Sequence, residues 1–138
     1  MLNWNFQHNI QIDEENKIVY SKIFGVWRGD TAKAYAEDYK EKVAGMIDQP
    51  WAKFTDLQKW KMSTPEVVSI LGLHMKWCSE NNMEWQVFVI NDPIRYGQLQ
   101  KMIDKGKVRK KTAIFRNSFE AVKFLKEKGY TVSSVHID

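Results

Sequence analysis

The stretch Trp51–Glu66, "WAKFTDLQKWKMSTPE", joins a predicted strand to a predicted helix. Its first part, "WAKFTDL", is a short apolar run of the kind that forms a buried strand. Its last part places Ser63 and Thr64 directly before an apolar helical pattern, where hydroxyl side chains commonly cap a helix. The stretch therefore predicts a strand followed closely by a helix, and it raises the question of whether Ser63 and Thr64 carry chemistry or only cap the helix.

The residues before this stretch predict a hairpin and one helix. The segment "NIQIDEENKIVYSKIFGVW" contains two β-branched or alternating runs around a polar turn near Asp13 to Asn16. Gly25 is a candidate for a bulge in the second run. Asp30 is then a candidate N-cap for the helix "TAKAYAEDYKEKVAGMI", whose apolar residues recur at helical spacing.

The residues after the stretch predict three further helices and two strands. The helix "STPEVVSILGLHMKWCSENN" is apolar almost all round, which predicts deep burial. The strand "EWQVFVI" precedes a helix with Asp92 as cap and Pro93 at its first position. The strand "TAIF" precedes a last helix with Asn117 or Ser118 as cap and Gly129 as its stop.

The order of these elements predicts an α/β layered fold. Alternating strands and helices favour parallel pairing, so we expect a mixed, mostly parallel sheet with an N-terminal β-hairpin and about four helices. Ligands and partners of such sheets bind beyond the carboxyl ends of the strands. We name this side the carboxyl edge, and the pattern places on it residues 56–64, 91–93 and 116–118.

Composition indicates one globular domain over residues 1–138. Hydrophobic residues make up 43% of the chain, enough for a core, and Cys78 as the single cysteine excludes an internal disulfide. The start "MLNWNFQHNI" has no signal-peptide pattern, and no apolar run is long enough to span a membrane. We therefore expect a cytoplasmic protein without a membrane span, as a monomer or a homodimer.

Charge is concentrated near the carboxyl terminus. The segment Lys101–Lys128 holds ten Lys and Arg against three Asp and Glu, or +7, in a chain of net charge +4. Such a segment is either a solvated surface or a site for an anionic partner. Nucleic acid is an unlikely partner, because no aromatic residues for base stacking are interleaved with these lysines.

Ser63 and Thr64 allow two interpretations. Ser63 and Glu66 have capping-box spacing, while Pro65 suits Thr64 as the cap. A helix start also tolerates a phosphate well, so both hydroxyls are candidates for phosphorylation or anion binding. A nucleophilic serine is not indicated, since no G-x-S-x-G turn and no His–Asp pair accompany it. We expect a protein that is not an enzyme.

Polar residues near the carboxyl edge form a possible ligand or partner surface. Asp56 either orients a ligand or braces its own loop. Lys59, Lys61 and Arg95 would suit an acidic ligand or a phosphorylated group, although exposed lysines are common. Asp92, the predicted cap of the third helix, lies on the same edge.

Tryptophans provide a second candidate surface. Trp51, Trp60 and Trp77 could gather around the second helix and the loop before it, either as core residues or as the wall of a pocket for a small apolar or acidic molecule.

His74 and Cys78 lie four residues apart on one helical face, as two metal ligands might. Two ligands are too few for a zinc site, and His8 and His136 lie near the termini. We expect no metal and no cofactor, with His74 and Cys78 on a largely buried helix face.

Four segments carry a resemblance to a known family: "WAKFTDLQKW" with Asp56 and Trp60, the helix "TPEVVSILGLHMKWC", the strand "WQVFVI" and the closing "IFRNSFEAVKFL". Over roughly residues 10 to 130 the chain resembles the STAS domain, the fold of the anti-sigma-factor antagonist SpoIIAA. It is more similar to the SpoIIAA-like family of small uncharacterised bacterial proteins.

The resemblance implies a regulatory module that binds a protein partner. In the antagonist branch, a serine at the start of the helix after the Asp-terminated strand is phosphorylated by a kinase-type anti-sigma factor. That branch has Ser-Ser-Gly directly after the Asp, whereas "LQKWKM" follows Asp56 here, so Ser63 and Thr64 correspond by position. We expect the function to reside in residues 56–66, with a Trp-lined small-molecule pocket as the alternative.

Overall fold

The computed structural model describes residues 7–133, and the expectations for Met1–Phe6 and for His136 lie outside the described residues. Seven strands and four helices occur in these residues, together with a short 3-10 helix at Arg109–Lys111. The strands are β1 (His8–Asp13), β2 (Ile18–Ile23), β3 (Gly25–Trp27), β4 (Trp51–Asp56), β5 (Trp60–Ser63), β6 (Met83–Val89) and β7 (Thr112–Phe115). The helices are α1 (Gly29–Val43), α2 (Pro65–Glu80), α3 (Pro93–Gly106) and α4 (Ser118–Glu127).

The main sheet has five strands in the order β1-β2-β4-β6-β7. β1 and β2 form the antiparallel N-terminal hairpin, and every other neighbouring pair is parallel. The predicted mixed, mostly parallel sheet with about four helices is therefore confirmed. β4 is the central strand, so the carboxyl edge begins where Asp56 ends it.

Local chemistry explains the hairpin and its end. The Asp13 carboxylate accepts a hydrogen bond from the Asn16 amide at 3.1 Å, which closes the turn at its predicted place. Gly25 has φ of +71°, and the β3 register shifts between Gly25 and Val26. Because glycine adopts this conformation at little cost, the predicted bulge at Gly25 is confirmed.

A second, two-stranded sheet was not predicted. β3 pairs in parallel with β5, so residues expected as one continuous hairpin strand and as a plain loop form a sheet of their own. The Gly25 amide donates to the Lys59 carbonyl at 2.9 Å, and the Thr64 amide donates to the Trp27 carbonyl at 2.9 Å. Such pairing between distant short segments leaves no local pattern that sequence reasoning could detect.

The main sheet separates two cores. On one side, which we call the α4 face, apolar strand residues pack against α4: Ile18, Tyr20, Ala52, Phe54, Val87, Val89, Ala121 and Leu125. On the other side, the α1–α3 face, the alternate strand positions meet α1, α2 and α3. That face also contains buried polar strand residues, namely Ser21, Lys53, Thr55 and Gln86.

Three of the predicted helix starts are found where expected, and one is not. Thr64 precedes Pro65 of α2, Asp92 caps α3 through the amides of Ile94 and Arg95, and Asn117 caps α4. Asp30 was wrongly expected to cap α1, because the helix begins at Gly29 and Arg28 holds the cap position. Asp30 instead lies in the first turn of α1, where its negative charge interacts favourably with the positive end of the helix dipole.

Helix α2 is less completely buried than its composition predicted. It buries one face against the sheet, whereas Leu73 is 56% exposed. Its closest neighbour is α3. A methyl group on Gly106 would lie 2.6 Å from the carbonyl oxygen of Gly72, so the two helices approach each other closely enough to require glycine there.

Within residues 7–133, none of the helices has the length and apolar character needed to cross a membrane.

Candidate functional site

Asp56 braces the start of the segment that leaves the central strand. Its carboxylate accepts hydrogen bonds from the Gln58 backbone amide at 2.9 Å and from the Gln58 side chain at 3.2 Å. An aspartate that bonds two residues ahead fixes a tight turn. Of the two roles considered for Asp56, ligand binding and bracing of its own loop, these hydrogen bonds correspond to the second.

Ser63 lies at the end of β5 and is held from two sides. Its Oγ accepts the indole N–H of Trp60 at 3.0 Å, and its exposed fraction is 8%. The Gln98 side chain accepts from the Ser63 amide at 3.0 Å and donates to its carbonyl at 2.8 Å. Gln98 therefore connects α3 to β5, a contact that the sequence did not indicate.

Thr64, not Ser63, is the cap residue of α2. It has extended backbone angles before Pro65, but among the described residues its hydroxyl does not bond a helix amide. The carboxylate of Glu66 lies near the helix start, where hydrogen bonds, first from the Thr64 side chain and then from the Glu66 backbone, lower its pKa. The capping-box spacing of Ser63 and Glu66 does not describe this helix start, since Ser63 belongs to the strand.

Asp92 and Arg95 form a pair on the first turn of α3. The Arg95 guanidinium lies 3.4 Å from the Asp92 carboxylate, and the same carboxylate caps the helix. Hydrogen bonds from the backbone, chiefly that of Arg95, lower the pKa of Asp92. The ion pair between these two residues was not predicted. The loops after β6 and β7 line a shared groove with Tyr96 and Arg116.

Lys59 and Lys61 are exposed on the segment between Asp56 and Ser63. Lys59 borders a shallow depression with Lys22, Asp56 and Gln58. Arg95, by contrast, is half-buried and paired with Asp92.

The three tryptophans do not gather. Trp51 begins β4 and donates its N–H to the Asn81 carbonyl at 2.7 Å, at the amino end of the strand. Trp77 lies near the C-terminal end of α2, with the Lys40 ammonium 5.3 Å from its ring centroid. Of the three, Trp60 alone lies at the carboxyl edge. The prediction failed because the spacing of tryptophans along the chain does not reveal which end of a helix or strand each one occupies.

The basic segment Lys101–Lys128 is spread over several elements. Lys111 donates to Ser79 and to the Met83 carbonyl, Arg109 pairs with Asp104, and the Lys128 ammonium lies 4.8 Å from the Trp85 ring centroid. These contacts are those of surface side chains that hold neighbouring elements together.

Most of the exposed large apolar side chains lie on elements at the carboxyl side of the sheet. Among the described residues, six large hydrophobic side chains are exposed, and five of them lie on β3, β5 or the first turns of α3 and α4: Val26, Met62, Ile94, Tyr96 and Phe119. Ile94 and Phe119 are 80% and 79% exposed. The sixth is Leu73, in the middle of α2. Exposed apolar side chains grouped in one region are typical of an interaction surface.

A buried polar network lies below Trp60 on the α1–α3 face. The ammonium of Lys53, 1% exposed, donates to the Tyr35 hydroxyl at 3.1 Å and contacts His74 Nε2 at 3.1 Å. The same ammonium lies 4.0 Å from the ring centroid of Tyr39. The network continues from the Tyr35 hydroxyl to Ser21 Oγ at 2.9 Å. Sequence reasoning missed it, although a lysine in the middle of a buried strand was a visible signal.

Burial sets the ionisation of the groups around Lys53. Desolvation, followed by the positive charges of Lys53 and Lys40, lowers the pKa of His74 well below its usual value, so its imidazole is neutral near pH 7. Burial raises the pKa of the Cys78 thiol to about 11, and its Sγ lies 3.7 Å from His74 Nε2. The predicted buried helix face of His74 and Cys78 is confirmed.

Two solved structures have a fold similar to that of this chain. One match is an uncharacterized protein of the DUF3478 family with a SpoIIAA-like fold from Shewanella loihica PV-4, with a TM-score of 0.62 and 10% identity, covering 86% of this chain and 91% of that chain. The chain has a SpoIIAA-like fold. A second match is an anti-sigma factor antagonist from Mycobacterium paratuberculosis, with a TM-score of 0.58 and 15% identity, covering 86% of this chain and 94% of that chain.

The sequence itself matched neither a protein-family model nor a curated protein. At 10% and 15% identity the likeness to the two structures concerns the fold. The expected STAS or SpoIIAA-like fold is confirmed on the arrangement of strands and helices, and the roles of individual residues rest on the geometry described above.

Proposed function

We propose that the chain is a cytoplasmic, non-enzymatic regulatory module of one domain that binds a protein partner through its carboxyl edge. The observation that carries this proposal is the grouping of five exposed apolar side chains on that edge, beside the segment 56–66. The SpoIIAA-like fold, which it shares with an anti-sigma factor antagonist, supports a regulatory role. Apolar side chains ringed by Asp92, Arg116 and Lys61 would supply the contact area and the polar rim of an interface.

The geometry of Ser63 supports a non-enzymatic role. Its Oγ accepts the Trp60 indole N–H, and it lies beside the Gln98 amide group instead of a histidine that could remove its proton. The half-buried Thr64 is also sequestered, as its hydroxyl oxygen is buried. Phosphorylation of Ser63 or Thr64 is thus proposed only for a state in which β5 has detached from Gln98.

Pull-down from the bacterial host followed by mass spectrometry tests partner binding. The bait is the wild-type chain, compared with the double variant Ile94→Asp and Phe119→Asp. Leu73→Asp is the matched control, because Leu73 is similarly exposed but lies away from the carboxyl edge. We expect a partner that the control retains and the double variant loses. Equal recovery by all three proteins would contradict binding through this edge.

A second candidate function follows from a cavity beside Trp60. It is lined by twelve residues of the α1–α3 face, among them Tyr35, Lys53, His74 and Trp60. We propose binding of a small apolar or acidic molecule there. Tryptophan fluorescence during a ligand titration tests this, and the Trp60→Phe variant identifies the contribution of Trp60. A ligand that changes the fluorescence of wild type and variant alike would place binding elsewhere.

A further inference from the structure

The cavity below Trp60 presents an apolar surface. Four polar residues, Lys53, Thr55, Tyr35 and His74, back one of its walls, where their polar atoms bond to one another and to Ser21. The remaining lining is apolar and includes Trp60 and two methionines, Met75 and Met102. The cavity is partly open and its volume is about 20 Å³, which accommodates one water-sized group.

The Lys53 ammonium brings an uncompensated charge to this wall. Its hydrogen-bond partners, Tyr35 and His74, are both neutral, and the Tyr39 ring offers its π face. Among residues 7–133, none of the ion pairs brings a carboxylate to Lys53. Aromatic faces offset part of the desolvation of an ammonium, but a buried charge without a counter-ion remains costly.

We propose that the cavity binds the carboxylate group of a small apolar monocarboxylic acid, with Lys53 as its counter-ion. The proposal rests on the ligand-binding function proposed above and names its ligand class. The carboxylate would compensate the charge of Lys53, and a charge-assisted hydrogen bond is stronger than a neutral one. The Tyr35 and Thr55 hydroxyls already bond within the network, so a carboxylate would have to take the place of one of the present partners of Lys53.

The apolar part of such a ligand requires space beyond the volume of the cavity. Met75 and Met102 line the cavity, and their unbranched side chains adapt readily to a new neighbour. Leu71, Leu99 and Phe88 complete an apolar lining suited to an alkyl chain. A dianion such as a phosphate monoester fits less well, because Lys53 supplies one positive charge and His74 is neutral.

Calorimetric titration with octanoate and with 1-octanol tests the proposal on the full chain at pH 7.5. The two probes share an alkyl chain and differ in charge. We expect octanoate to bind wild type at least about tenfold more tightly than octanol. Lys53→Met should remove this preference, whereas the control Lys126→Met, at an exposed lysine of α4 on the opposite face of the sheet, should keep it.

Equal affinity for the two probes in wild type would overturn the carboxylate assignment and leave the ligand-binding function intact. Binding of neither probe would overturn both. If Lys53→Met fails to fold, amide NMR shifts of the wild type decide the matter. Octanoate should shift the Thr55 and His74 resonances most, and shifts confined to the protein surface would overturn the proposal.

Discussion

The two faces of the main sheet are built from the same strands but with different chemistry. On β4, Ala52 and Phe54 face α4 in an apolar core, whereas Lys53 and Thr55 face α1 and α2 in a polar network. A chain that needed stability alone would gain more from apolar residues at all these positions, since burying polar groups brings little net gain. Both faces bury apolar residues, and the α1–α3 face buries the larger set. The polar strand positions are confined to the α1–α3 face, and we therefore expect function to reside there.

The largest expected effect comes from breaking the apolar face. Phe54→Ala removes a side chain that is 3% exposed and packs with Tyr20 at a ring distance of 5.6 Å. We expect the free energy of unfolding to fall by about 3–5 kcal/mol. Denaturant unfolding measures it, and Phe119→Ala, at a position 79% exposed, should change it by less than about 0.5 kcal/mol. Comparable losses would show that Phe54 is not a core residue.

The next effect is a pH dependence confined to the α1–α3 face. His74 has a lowered pKa in the folded state, so in mildly acidic solution the unfolded chain binds a proton that the folded chain does not. Stability is therefore full above the unfolded pKa of about 6.5 and is lost below it, by at most about 2 kcal/mol between pH 7.5 and pH 5.

Unfolding curves between pH 7.5 and pH 5 measure the direction of the change in stability and show whether His74 causes it. His74→Gln should flatten the dependence, because glutamine does not titrate. His8→Gln, which alters the imidazole paired with Asp38 at 2.9 Å on α1, should retain the contribution of His74. A wild-type stability that rises as the pH falls from 7.5 to 5 would contradict the neutral state of His74.

A smaller effect is expected at the outer end of the same face. Ser63→Ala leaves the Trp60 N–H without its acceptor and should cost about 1 kcal/mol of stability. The indole proton resonance of Trp60 should shift in the NMR spectrum at the same time. Ser69→Ala, on the exposed side of α2, is the control and should leave both unchanged. An unshifted indole resonance in Ser63→Ala would show that the hydrogen bond does not form in solution.

The smallest expected change in stability is that of Lys53→Met, and it tests most directly whether the two faces of the main sheet differ in role. Lys53→Met replaces the buried ammonium by an apolar side chain of similar length, so we expect the free energy of unfolding to stay the same or to rise by up to about 1 kcal/mol. Thermal and denaturant unfolding measure this change. A loss of more than about 2 kcal/mol would mean that Lys53 serves stability, and the functional interpretation of this face would fail.

Much of the fold could be predicted from residues close together in the chain. The Asp13 turn, the Gly25 bulge and the Asp92 and Asn117 caps each depend on a few neighbouring side chains, so their patterns are visible in the sequence. The alternation of strands and helices then predicts the parallel sheet.

The candidate site was harder to predict because it depends on residues distant in sequence. The clamp of Gln98 on Ser63 joins residues 35 positions apart, and the β3–β5 pairing joins two segments too short to show a pattern. Lys53 was detectable in principle, since alternation places it between Trp51 and Thr55 on one face of β4. Its partners on α1 and α2 could only be identified in three dimensions.

The contact between Gly72 and Gly106 has a kinetic consequence. The backbones of α2 and α3 approach closely there, so we expect these two walls of the cavity to separate less readily than the wall formed by β5 with Trp60. Exchange of any occupant would then proceed at the rate at which β5 opens locally, and each opening would also release Ser63 from Gln98. The proposed phosphorylation of Ser63 and the exchange of a cavity ligand would therefore depend on the same local opening of β5.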